Sequence, residues 1–156
     1  MPRVFLITGT STGFGYHLVQ EVIDKGDIAI ATARNPSSLS FQNTSSKNYL
    51  PLKLDVTNDT DIEHVFKEAL DKFGRVDVVV NNAGYGLSGV FEELTPEQIR
   101  TQMEVNFFGL LQVTRKAMEV MREQEPSGGQ IQQVTSIGGQ RGHVARAHGL
   151  SYQGPC

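Results

Sequence analysis

Short apolar runs along the chain alternate with longer stretches in which apolar and polar residues mix. The apolar runs lack the strict alternation of a half-exposed strand, which is typical of parallel strands buried on both faces. The last run contains Gln132 and Gln133 and is less apolar than the others. We predict five strands, at residues 4–7, 28–33, 50–54, 76–80 and 131–135.

The stretches between the runs have helical spacing. Phe14, Leu18 and Val22 recur every four residues, and residues 62–73 carry one apolar face that ends at Gly74. A capping box with Pro at the first helical position begins at Thr95, which predicts a helical region to about residue 123. Strands that alternate with helices indicate a doubly wound α/β domain with a parallel, Rossmann-like sheet.

Composition narrows the class of protein. The chain has 156 residues, enough for one ordinary domain, and its 38% hydrophobic and 20% charged residues are typical of a globular protein. A net charge of −3 gives no basic surface for nucleic acid. The apolar run near the start is too short for a membrane helix or signal peptide, and the single Cys156 cannot form an internal disulfide. We expect a cytoplasmic protein without nucleic-acid or membrane partners.

A glycine-rich turn, TGTSTGFG, joins the first strand to the first helix. It places Gly9, Gly13 and Gly15 where backbone N–H groups and the helix dipole can receive a pyrophosphate. The hydroxyls of the intervening residues can also donate to phosphate; these residues are Thr10, Ser11 and Thr12. The spacing differs from G-x-G-x-x-G, so a tight turn without a ligand is the alternative interpretation.

Arg34 stands at the end of the second predicted strand. In NAD-selective sheets an Asp or Glu in this region accepts hydrogen bonds from the ribose 2′-OH. A guanidinium there can instead pair with a 2′-phosphate, so Arg34 predicts NADP rather than NAD as the cofactor. A solvated surface arginine is the alternative.

Five motifs in order along the chain resemble the short-chain dehydrogenase/reductase family. The resemblance covers residues 1 to about 142 and implies a nucleotide-binding domain over 1–142, followed by a divergent tail over 143–156. The motifs are TGTSTGFG at 8–15, LDVT at 54–57, NNAG at 81–84, VNFFG at 105–109 and VTSIGG at 134–139.

The resemblance implies which residues hold the cofactor. Asp55 and Val56 would lie beside the adenine, and Asn82, Ala83 and Gly84 would pass under the nicotinamide ribose. Asp55 and Asn82 have a simpler interpretation, as turn residues that cap the ends of strands.

The resemblance also implies an oxidoreductase that moves a hydride between the nicotinamide and a carbinol or carbonyl carbon of a small organic substrate. Asn106 would hold a helix kink and a proton-relay water, and Ser136 would bind the substrate oxygen. A local hydrogen bond for Asn106 and an ordinary loop hydroxyl for Ser136 are the alternatives. No residues with the spacing of a metal site are present, because His143 and His148 have no Cys or carboxylate nearby.

The family's Tyr-x-x-x-Lys pair has no counterpart in this sequence. Tyr152 is the only tyrosine after Ser136, and Cys156 stands where the lysine is expected. Gly154 and Pro155 between them oppose a helix. We therefore do not expect Tyr152 to be the proton donor, and we expect a domain truncated at its carboxyl end. Half of the family's usual dimer surface would be absent, so we do not expect its common homo-oligomer. The alternative function is a remnant that at most binds NADP(H).

Overall fold

The computed structural model describes residues 1–87 and 89–136, which form a five-stranded parallel sheet with helices on both faces. The strands lie in the order β3-β2-β1-β4-β5, and each neighbouring pair is parallel. The predicted doubly wound fold is confirmed. The strands are β1 (Val4–Ile7), β2 (Ile28–Ala33), β3 (Tyr49–Lys53), β4 (Val78–Asn81) and β5 (Gln130–Gln133).

The helices divide between the two faces of the sheet. One face packs against α1 (Gly13–Asp24), and the other packs against α2 (Asp59–Phe73) and α4 (Leu110–Glu123). The helical region predicted to begin at Thr95 is present, with both hydrogen bonds of its capping box. It consists of α3 (Pro96–Met103), a π-helical segment (Glu104–Gly109) and α4.

The core explains why the strands are apolar on both faces. In β1, Leu6 packs in the cluster with α2 and α4, while its neighbour Ile7 packs in the cluster with α1. Both side chains are completely buried. Successive strand residues point to opposite faces, so a strand in the middle of this sheet has no solvent-facing side.

β4 begins two residues later than predicted, and the two residues before it are bonded in different ways. The Asp77 carboxylate accepts a hydrogen bond from the backbone N–H of Val4 at 2.8 Å. The Val76 peptide groups are bonded by the side chain of Gln124 rather than by a neighbouring strand. Val76 therefore lies outside the ladder, whereas the backbone N–H of Asp77 donates to the carbonyl of Val4 at 2.9 Å and its carbonyl accepts from the N–H of Gln130 at 2.8 Å, which leads into β4.

The last strand differs from the others, as its glutamines indicated. Three of its four residues are exposed, and only Ile131 packs against the core. Among residues 1–87 and 89–136 no helix is long and apolar enough to cross a membrane. Tyr152, the two tail histidines and the predicted boundary near residue 142 lie outside the described residues.

Candidate functional site

A cleft of about 810 Å³ opens at the carboxyl ends of the strands. The strand order reverses there, between β1 and β4, and open α/β sheets bind their ligands at such a point. The volume is in the usual range for small-molecule sites, about 300–1,000 Å³. Ten of the residues predicted to hold a cofactor line it: Gly9, Ser11, Thr12, Gly13, Arg34, Asp55, Val56, Asn82, Ala83 and Gly84.

The turn after β1 needs glycine for two reasons. Gly9 and Gly13 have φ values of +69° and +60°, which L side chains rarely adopt. A Cβ on Gly9 would also lie 2.7 Å from the Cα atom of Ala83. The side chain of Thr12 makes no capping bond to α1 within the described part of the chain. The first N–H groups of α1 are therefore available to an anion at the cleft.

Gly15 and Thr10 face away from the cleft. A Cβ on Gly15 would meet the side-chain nitrogen of Asn82 and the carbonyl oxygen of Gly9. The hydroxyl of Thr10 is buried and donates to the carbonyl of Thr32 at 3.1 Å. The prediction that Thr10 could donate to phosphate was wrong, because its hydroxyl already donates to a carbonyl of β2. Ser11 and Thr12, in contrast, are exposed.

The end of the cleft beside β2 and β3 presents charged and polar side chains. Arg34 is exposed and forms no ion pair with residues 1–87 or 89–136. The Asp55 carboxylate accepts from the backbone N–H and the hydroxyl of Thr57, so its turn interpretation is correct and it also lines the cleft. The pKa of the Asp61 carboxyl is held below its ordinary value, mainly by the hydrogen bond from the backbone N–H of Asp55 and to a smaller extent by Lys53.

The end of the cleft beside β4 is held by a buried threonine that sequence reasoning missed. The hydroxyl of Thr8 accepts from the backbone N–H groups of Asn82 and Ala83 at 3.0 and 2.9 Å. The side-chain nitrogen of Asn82 donates to the carbonyls of Thr8 and Gly9, both at 2.9 Å. The turns after β1 and β4 are thus joined directly, and Asn82 acts as a brace within the wall of the cleft.

Asn106 lies in the π-helical segment and is buried behind this wall. Its oxygen accepts from the backbone N–H of Tyr85 at 3.0 Å, and its nitrogen donates to the Tyr85 carbonyl at 2.7 Å. Gln102, which sequence reasoning also missed, donates to the same carbonyl at 3.1 Å. Tyr85 lines the cleft, so these two amides fix a residue that a ligand would contact.

Ser136 follows β5 and is half-buried at the same edge of the sheet. Asn106, Gly15 and Ser136 are not among the described residues that line the cleft. No group of three or more His, Cys, Asp or Glu that could hold a metal occurs among the described residues.

Comparison with protein families and known proteins agrees with the five motifs. The family model described as short chain dehydrogenase matches residues 3–153. An uncharacterized oxidoreductase of Schizosaccharomyces pombe is 44% identical over 134 residues, which are 86% of this chain and 44% of that protein. The chain spans about half the length of the curated relatives it matches.

Solved structures give the same result. A short-chain dehydrogenase from Streptomyces avermitilis superposes with a TM-score of 0.84 and 34% identity, covering 98% of this chain and 56% of that one. A 3-ketoacyl-(acyl-carrier-protein) reductase from Brucella melitensis, complexed with NADH, superposes with a TM-score of 0.85 and 27% identity, covering 97% and 64%. With the cleft and its glycine turn in the expected place, the chain belongs to the short-chain dehydrogenase family.

Proposed function

We propose that this protein binds NADP(H) and acts as an NADP-dependent oxidoreductase on a small alcohol or carbonyl compound. When bound, the cofactor supplies the nicotinamide carbon that gives or accepts a hydride. The observation that carries the proposal is the position of Arg34, an exposed cation at one end of a cleft that a glycine turn divides.

The residues present fit a dinucleotide. The glycine turn and the N-terminus of α1 lie in the middle of the cleft, where the pyrophosphate would be bound by N–H groups. Arg34 and Asp55 follow β2 and β3 on one side of the turn, and Asn82 to Tyr85 follow β4 on the other. Each side offers room for one nucleoside.

Arg34 decides the choice between the two nicotinamide cofactors. The Brucella reductase is complexed with NADH, so family likeness alone does not select NADP. A guanidinium beside the adenosine end would form charge-assisted hydrogen bonds to a 2′-phosphate, and Asp55 would accept from the neighbouring nucleoside.

The catalytic part of the proposal rests on Ser136 and Asn106. The Ser136 hydroxyl would donate to the substrate oxygen, and Asn106 would keep the wall of the cleft in place for the nicotinamide. Because we do not expect Tyr152 to donate the proton, we expect turnover to be slower by about 10²–10⁴-fold than with a positioned acid or base. Nucleotide binding without turnover is the alternative outcome.

The proposal is tested by titrating the chain with NADPH and with NADH. Replacing Arg34 with Asp should weaken NADPH binding by about 10- to 100-fold, the value of a charged hydrogen bond, and leave NADH binding within about 2-fold. Lys47→Asp is the matched control, because it makes the same change of charge at an exposed residue that does not line the cleft. An unchanged NADPH affinity in Arg34→Asp would refute the role of Arg34.

Turnover is tested separately, with a panel of ketones and aldehydes and with the Ser136→Ala variant. Oxidation of NADPH that disappears in this variant supports an oxidoreductase. Saturable binding without oxidation identifies a nucleotide-binding protein instead. A chain that binds neither cofactor contradicts both functions.

A further inference from the structure

Gln102 is a completely buried amide whose hydrogen bonds are only half satisfied. Its nitrogen donates to the carbonyl of Tyr85 at 3.1 Å, but its oxygen has no partner among the described residues. A buried acceptor without a partner costs at least as much free energy as one ordinary hydrogen bond contributes. The amide of Gln102 is therefore not explained by the stability of the fold.

The bond that Gln102 does make is directed at one backbone carbonyl. Asn106, four residues further along, holds the N–H and the same carbonyl of Tyr85 at 3.0 and 2.7 Å. Residues four apart lie on one face of a helix, so the two amides act together. Tyr85 itself is 42% exposed and lines the cleft.

We propose that Gln102 is a positioning residue for the nicotinamide end of the cleft. It limits the rotation of the Tyr85 peptide group, and so keeps the Tyr85 ring and the preceding turn in the arrangement that a ligand meets. This role rests on the proposed binding of a dinucleotide. It predicts that the Gln102 amide affects only the half of the ligand on the β4 side, because Arg34 and Asp55 lie across the glycine turn.

A second buried glutamine provides a matched control. Gln124 holds the backbone of Val76, with its oxygen accepting from the N–H at 2.9 Å and its nitrogen donating to the carbonyl at 3.0 Å. It also donates to the carbonyl of Gly128 at 2.7 Å. Val76 precedes β4, at the end of the strand opposite the cleft. Gln124 is thus a fully bonded amide with a structural role only.

The experiment compares Gln102→Met with Gln124→Met, since methionine has a similar length and removes only the amide. Each variant is titrated with NADP⁺ and with adenosine 2′,5′-bisphosphate, which lacks the nicotinamide half, and its melting temperature is measured. Gln102→Met should weaken NADP⁺ binding about 10-fold, the value of about one lost hydrogen bond, and change bisphosphate binding less than about 2-fold. Its melting temperature should be unchanged or higher.

Gln124→Met should leave both affinities unchanged and lower the melting temperature by about 5 °C. The positioning role is overturned if Gln102→Met weakens both ligands equally, leaves NADP⁺ binding unchanged, or is less stable than Gln124→Met. If the unmodified chain binds neither ligand, the proposed function itself fails. That outcome differs from the results above, in which the unmodified chain binds NADP⁺ and only the role of Gln102 fails.

Discussion

The two ends of the cleft are built in different ways. Beside β2 and β3, exposed side chains such as Arg34 reach into it, and the braces beneath them are local hydrogen bonds near Asp55. Beside β4, the backbone of the residues that line the cleft is held from behind by buried side chains such as Thr8 and Asn106. Substitutions at the first end should change which ligand binds, whereas substitutions at the second should weaken every ligand that extends to that end.

The largest effect should come from Gly15→Ala, which disrupts the end of the cleft beside β4. The new methyl group would displace the side chain of Asn82 and the carbonyl of Gly9, so the turns after β1 and β4 could no longer meet. We expect a loss of about 3 kcal/mol in the free energy of unfolding, as in overpacked cores, and loss of NADPH binding. Urea denaturation and calorimetric titration measure the two effects.

Gly86→Ala is the control for this variant, because a Cβ there would meet nothing within 4 Å. It should bind NADPH like the unmodified chain. Equal behaviour of the two variants would show that the close approach at Gly15 is unimportant.

A smaller effect is expected from Thr8→Val, which keeps the shape of the side chain and removes its hydroxyl. The N–H groups of Asn82 and Ala83 would lose their acceptor, at a cost of about 2 kcal/mol in the free energy of unfolding. Thr10→Val removes a hydroxyl that donates to one carbonyl, so it should cost about 1 kcal/mol and leave NADPH affinity unchanged. If the Thr10 variant bound NADPH more weakly than the Thr8 variant, the result would contradict the proposal that Thr8 holds the turn after β4.

The smallest effect concerns Asp61, at the end of the cleft beside β2 and β3. Its carboxylate accepts a hydrogen bond from the backbone N–H of Asp55 at 3.0 Å. Its pKa is lowered from 3.8, first by that N–H and then by Lys53. The ionised form is favoured in the folded chain, so its contribution is complete above about pH 4 and is lost as pH falls through the lowered pKa.

Asp61→Asn should therefore reduce the free energy of unfolding by about 1 kcal/mol at pH 7, with the difference vanishing in acid. Denaturation at several pH values measures it. Asp71→Asn is the control: its carboxylate pairs with Lys67 on the exposed surface of α2, and it should show about half that difference or less. If the loss of unfolding free energy in Asp61→Asn grew as the pH fell, the result would contradict this prediction.

The fold could be predicted from the sequence because the pattern is simple. A central strand covered on both faces must be apolar throughout, as Val4 to Ile7 show. The start of β4 was predicted too early because the side chain of Gln124, which is 48 positions away, bonds the backbone of Val76, and no local pattern reveals that bond. The weaker apolar character noted for the last run agrees with the exposure of three of the four residues of β5.

The site was predictable where its chemistry is local. The glycine turn and Arg34 depend on their positions relative to strand ends, and both reach the cleft. The bracing residues were not predictable in the same way, because Thr8 bonds a residue 74 positions away and Gln102 one that is 17 away. The four-residue spacing of Gln102 and Asn106 was the one local signal that could have identified the pair.

The most direct test of the account is calorimetric titration of the unmodified chain with NADPH and with NADH. Arg34 at the open end of a braced cleft predicts one cofactor bound per chain, and NADPH bound at least about 10-fold more tightly than NADH, the value of one charge-assisted hydrogen bond. Equal affinities would contradict the selectivity at Arg34. Absence of binding by either cofactor would contradict the dinucleotide cleft itself.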